Sequence, residues 1–114
     1  MTRPRSSKFA TMSKLSIIAS LTAAEGKAEE LNTALEALVA SADEEPGLEI
    51  YSVHRDPNDE NAFYFFELYT DAAAFEVHGK GEKVKAAMGA MGGLLGGRPD
   101  VKVLTPGAAK GLDL

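Results

Sequence analysis

His78, Glu67 and Tyr51 are the side chains of this 114-residue chain whose types and spacing could do chemistry. A histidine side chain in water titrates at about 6.5, which suits proton removal near neutrality. Glu67 sits in the run Phe63-Tyr64-Phe65-Phe66-Glu67-Leu68-Tyr69. A carboxylate in such company, if buried, must be paired or driven towards its protonated form. It could accept a proton or orient a substrate hydroxyl. Tyr51 and Tyr69 offer phenolic hydroxyls on a mainly apolar wall, to which Phe63, Phe65 and Met88 would add surface; that mixture is expected of a small pocket for an aromatic ligand. Arg55 could stabilise a phenolate there. Blander roles stand beside these. His78 could cap a helix or face water. Glu67 could be a structural carboxylate bonded to Tyr51 or Arg55, and Arg55 could pair with Asp56 or Glu49. The aromatic residues and Met88 could be core.

These residues need a scaffold, and the pattern around them supplies one. Leu15, Ile17, Ala19 and Leu21 alternate with Ser16, Ile18 and Ser20, which predicts a first strand. Thr22-Ala23-Ala24-Glu25 fits a capping box, and the helix after it places Ala28, Leu31, Leu35, Leu38 and Ala42 on one stripe. Pro46-Gly47 ends that segment. Leu48–Arg55 predicts a second strand, with Leu48, Ile50, Ser52 and His54 on one face and Glu49, Tyr51, Val53 and Arg55 on the other. The polar stretch 56–61 predicts a hairpin turn. The third strand, residues 62–69, would be apolar on both faces, and a near-symmetric hairpin sets Tyr51 opposite Glu67. Asp71 can cap a helix over 72–78 that delivers His78. A second helical piece follows over 82–95, carrying Val84, Ala87, Met88, Met91 and Leu95 on one side. Gly89, Gly92 and Gly93 weaken it by roughly 1 kcal/mol each relative to alanine, or permit close packing. DVKVL, residues 100–104, is a fourth strand. The order β-α-β-β-α-β is the ferredoxin-like α+β pattern: a four-stranded antiparallel sheet with helices on one face. The other face has too few polar residues to be left to water, so a second copy is expected to cover it in a homodimer.

The totals agree with one domain over residues 14–104, with loose tails at 1–13 and 105–114. There is no cysteine, so disulfides and thiolate chemistry are excluded. Four of the twelve Lys and Arg lie in the first fourteen residues, which hold no acid; eight face seventeen acids in the rest. An acidic body argues against nucleic acid as a partner. The apolar runs are too short for a membrane span, and the start lacks the apolar core of a signal peptide, so a cytoplasmic protein is expected. An iron site would need two histidines and a carboxylate facing one another. His54 and His78 are the only histidines, and His54 falls on the strand face opposite Tyr51, so no metal is expected.

Glu45-Pro46-Gly47, Tyr51, Arg55-Asp56-Pro57, Phe63, Glu67, Tyr69, Ala74 and His78 together resemble the antibiotic biosynthesis monooxygenase domain family, over about residues 14–104. The resemblance implies a ferredoxin-like domain that dimerises into an α+β barrel. It also implies a small monooxygenase that oxidises a phenol, anthrone or hydroquinone with O2 as co-substrate, using neither metal nor flavin. In that chemistry the enzyme deprotonates the substrate, and the anion reduces O2 directly. Some relatives instead bind or degrade haem, which would place haem at His78, and others have no established activity, which leaves a non-catalytic ligand-binding dimer as the alternative. The chain departs from the family at two places: Tyr69 stands where Trp is frequent, and Lys83 where many members carry a second His.

Overall fold

The computed structural model describes residues 13–112 and residue 114; the first twelve residues of the expected 1–13 tail lie outside them. Its elements run β1 (Leu15–Thr22), α1 (Ala28–Ser41), β2 (Leu48–Asp56), β3 (Asp59–Tyr69), α2 (Ala72–Lys80), α3 (Glu82–Met91) and β4 (Asp100–Leu104). Short 3₁₀ turns follow α1 at Ala42–Glu44 and α3 at Gly92–Leu94. The strands form one antiparallel sheet in the order β2-β3-β1-β4, the ferredoxin-like α+β arrangement that the pattern predicts.

Apolar alternation determines which face the helices cover. Ile17, Ala19 and Leu21 of β1 and Phe63, Phe65 and Tyr69 of β3 are buried against Leu31, Leu35 and Leu38 of α1. Leu31 and Leu35 are wholly buried, each contributing about 1.5–3 kcal/mol relative to exposure. The predicted stripe of α1 is correct, but its predicted start is not. Thr22 stays in β1, paired with Ala62, and Ala23 bridges Leu95. The chain then turns through Gly26 at φ 79°, a left-handed conformation that glycine adopts without penalty. Helix α1 begins at Ala28 with no side-chain cap. Sheet pairing already uses the backbone that a capping box at Thr22 would have needed.

The hairpin is tighter than expected. Asp56 pairs with Asp59, leaving Pro57-Asn58 as the turn, and the Asp56 and Asp59 carboxylates accept from the amides of Asn58 and Asn61. The expected register holds, with Tyr51 opposite Glu67 on the helix side. One detail departs from strict alternation. A register shift between Leu48 and Ile50 sets Leu48 opposite Tyr69, so Leu48 enters the core instead of sharing a face with Ile50.

Asp71 caps α2 as predicted: its Oδ1 accepts from the Ala74 amide at 2.9 Å. Gly47 lets α2 approach β2, since a Cβ there would lie 2.5 Å from the Ala74 Cβ. By contrast, Gly89, Gly92 and Gly93 border open space, so close packing does not explain them. On the face away from the helices, Ile18, Tyr64 and Leu104 are exposed. The described residues beyond Leu104 form no helix or strand; Pro106, Ala108 and Leu112 border a hollow over Ser16, Phe66 and Leu68 at one corner of that face. No helix among the described residues is long and apolar enough to cross a membrane.

Candidate active site

A cavity of about 180 Å³ lies between the helix-covered face of the sheet and helices α2 and α3. Strands β1 and β3 give it Ile17, Ala19, Leu21 and Phe65; α2 and α3 give it Phe75, Met88 and Met91. Three polar side chains enter this apolar space: Tyr51, Glu67 and His78. Tyr51 and Glu67 are there because they are cross-strand partners on the inner face of the β2–β3 hairpin. His78 is there because the Asp71 cap starts α2 and the Gly47 contact seats it against the sheet.

The ring contacts are close. Tyr51 stacks on Phe65 with centroids 4.9 Å apart, and its ring meets that of His78 edge-on at 5.2 Å. Tyr69 is fully buried behind them, 5.6 Å from His78 and 5.2 Å from Phe75. The Tyr69 hydroxyl donates to Glu67 Oε1 at 2.5 Å. Burial pushes the Glu67 carboxyl above the ordinary carboxylate range; the Tyr69 hydrogen bond and nearby His78 act the other way, and Glu45 adds to the rise. Burial, with the neighbouring carboxylates, also raises both tyrosines, so Tyr51 and Tyr69 are neutral phenols at ordinary pH. Glu67 is therefore bonded neither to Tyr51 nor to Arg55 but to its strand neighbour two residues on.

Five of the eight predicted site residues line this cavity: His78, Glu67, Tyr51, Phe65 and Met88. Tyr69 supports it from behind. Phe63 and Arg55 lie at the far end of the hairpin, paired with each other, and do not reach it. The Arg55 guanidinium sits 4.8 Å over the Phe63 ring and binds Glu29 of α1 at 3.0 Å, not Asp56 or Glu49. Glu49 is taken by Lys14 and Thr70, each at 2.7 Å. His54 lies on the opposite face of the sheet, with Nε2 2.9 Å from the Ser52 hydroxyl.

The residue that sequence reasoning missed is Glu45. Its Oε1 lies 2.7 Å from His78 Nδ1 across 33 residues of chain. His78 is 7% exposed, so it neither caps a helix end in water nor faces solvent. Glu45 stands in the resembling segment Glu45-Pro46-Gly47, which is the signal that could have found it. Lys83, at the position of the family's second His, pairs with Glu44.

Comparison with known proteins agrees with this architecture. A family model described as antibiotic biosynthesis monooxygenase matches residues 15–90. The crystal structure of PA3566 from Pseudomonas aeruginosa is 35% identical, with a TM-score of 0.78 over 86% of this chain and 98% of that one. A Caulobacter crescentus protein, provisionally assigned as an antibiotic biosynthesis monooxygenase, is 27% identical, with a TM-score of 0.81 over 91% and 99%. A Nitrosomonas europaea protein of unknown function is 25% identical, with a TM-score of 0.77 over 88% and 95%. Among curated proteins, none matches.

Proposed function

Because this chain belongs to the antibiotic biosynthesis monooxygenase family, we propose that it oxidises a small, neutral, electron-rich aromatic with O2 and without metal or flavin. The observation that carries this reading is the apolar cavity in which His78, Glu67 and Tyr51 meet. Its volume narrows the substrate. A dry apolar cavity of about 150 Å³ accommodates benzene. The present cavity, about 180 Å³, suits one ring with small substituents better than the three fused rings of an anthrone. The same volume weighs against haem, whose four-pyrrole macrocycle is several times larger. Glu67 and Glu45 disfavour an anionic substrate, so a single-ring hydroquinone is the best fit.

In this reading His78 removes a hydroxyl proton, and the neutral Tyr51 phenol donates a hydrogen bond to the oxygen left negative. The phenolate then passes an electron to O2 and the radical pair combines at a ring carbon. Loss of water from that hydroperoxide leaves a hydroxyquinone, so one quinol and one O2 give one hydroxyquinone and one water. Glu67, held by Tyr69, addresses the second ring oxygen. The test is oxygen uptake by metal-free protein with a panel of hydroquinones and anthrones, against an autoxidation control and His78→Ala. Uptake above background that His78→Ala abolishes supports the reading; uptake unchanged in that variant removes His78 from the mechanism. Tight binding of the aromatic without uptake would instead favour a non-catalytic binding protein.

A second copy is the partner this reading implies for the open sheet face. Ile18, Tyr64 and Leu104 are each more than 40% exposed there, an apolar patch that face-to-face packing would bury. Sedimentation should give a dimer, and Ile18→Glu with Tyr64→Glu should give a monomer. A monomeric parent protein would refute the dimer.

A further inference from the structure

We propose that Glu45 and His78 form a proton path through the wall of the cavity, connecting its interior to the surface. His78 borders two hollows. One is the inner cavity. The other, about 220 Å³, opens on the outer surface between the end of α1 and the α2–α3 junction, where Glu44 and Lys83 stand at its rim. Glu45 borders only the outer hollow, and its side chain is 25% exposed against 8% for His78. His78 is thus the wall, and Glu45 is its outer side. The other polar groups of the cavity offer no such route, because neither Tyr51 nor Glu67 borders the outer hollow.

The hydrogen bond sets the direction of transfer. An ionised carboxylate only accepts, so His78 Nδ1 must carry the proton that lies between it and Glu45 Oε1. In the neutral ring Nε2 then holds a lone pair, and it has no hydrogen-bond partner among the described residues. A substrate hydroxyl gives its proton to Nε2, Nδ1 gives its proton to Glu45, and Glu45 releases it to water in the outer hollow. Radical combination leaves a peroxide anion on a ring carbon that still bears hydrogen. The proton that the peroxide gains and the proton which that carbon loses cancel. As the O–O bond breaks, Nε2–H supplies the proton that converts the departing hydroxide to water. Nδ1 is reprotonated through Glu45, and the ring returns to its starting tautomer. No proton is gained or lost over the cycle, as the overall reaction requires. Glu45 is therefore a positioning and relay residue, not one that touches substrate. The turnover part of this inference rests on the monooxygenase reading; the path itself does not.

The experiment uses Glu45→Gln, whose amide oxygen still accepts from Nδ1 but cannot take the proton. First, ¹⁵N NMR of the resting protein measures exchange of the His78 Nδ1 proton with water. In the variant the Nδ1–H signal should persist and exchange at least about tenfold more slowly. Equal exchange in parent and variant, or a parent in which Nδ1 carries no proton, overturns the path whether or not the protein turns over quinols. Second, oxygen uptake with a hydroquinone should lose kcat about tenfold or more with little change in KM, and millimolar formate or imidazole should restore part of it. A kcat unaffected by Glu45→Gln refutes the role in turnover. If the parent consumes no oxygen, it is the monooxygenase reading that falls, and the exchange measurement still decides the path.

Discussion

Replacing Gly47 by alanine should loosen the joint that holds the site together. The new Cβ would lie 2.5 Å from the Ala74 Cβ. Carbon atoms in good contact sit about 3.5–4.0 Å apart, so β2 and α2 must separate by about 1 Å. The backbone at Gly47 is not left-handed, so the cost is steric alone. Overpacking of this kind costs about 1–3 kcal/mol. In a domain of about 100 residues that lowers Tm by roughly 5–15 °C. The separation also pulls Glu45, two residues before Gly47, away from His78, seven residues after Asp71. Ala74→Gly alone should cost about 1 kcal/mol in helix propensity. Combined with Gly47→Ala it should relieve the clash, giving a favourable coupling of about 1 kcal/mol or more in a double-mutant cycle. Urea denaturation of the four proteins measures this. A Gly47→Ala protein as stable as the parent, or a cycle without coupling, would refute the reasoning. Gly26→Ala is the contrast: φ there is 79° and nothing lies within 4 Å, so it should cost about 1–2 kcal/mol in backbone strain that no neighbour can rescue.

Glu67→Gln should make the protein less sensitive to alkali. Burial raises the Glu67 pKa in the folded state, so below the ordinary carboxylate range both folded and unfolded forms are protonated. As pH rises from there through the folded value, the unfolded chain ionises first and stability falls. Glutamine lacks this loss and still accepts from Tyr69, so its Tm relative to the parent should climb between pH 4 and pH 8; parallel curves would refute it. Asp71→Ala removes the α2 cap and should cost about 1 kcal/mol by chemical denaturation. Arg55→Ala breaks an exposed pair away from the cavity, so oxygen uptake should be unchanged; a large loss of uptake would place Arg55 in the site.

The family and the fold could be read from local sequence because strands and hairpins are local devices. Period-two alternation marked β1 and β4, an aromatic run apolar on both faces marked β3, and the β2–β3 turn fixed Tyr51 opposite Glu67. The Asp71 cap was equally local. What failed were predictions in which two segments compete for one group. Thr22 resembled a cap, but pairing with Ala62 claimed it for the sheet. Arg55 had two nearby acids, and α1 placed Glu29 within closer reach.

The sequence by itself determined that a strand apolar on both faces would carry one carboxylate inward, and that a capped helix would bring a histidine to it. Backbone hydrogen bonding and side-chain alternation act over a few residues, and that range suffices. Only the tertiary structure decided that Glu67 bonds to Tyr69, that Glu45 meets His78, and that Arg55 and Phe63 lie outside the cavity. Glu67 and Tyr69 share a strand face two residues apart, and burial selects that pair. The other outcomes depend on how closely α2 approaches β2 and how α1 crosses the hairpin. Packing of surfaces remote in the chain sets both distances, and no local pattern encodes them.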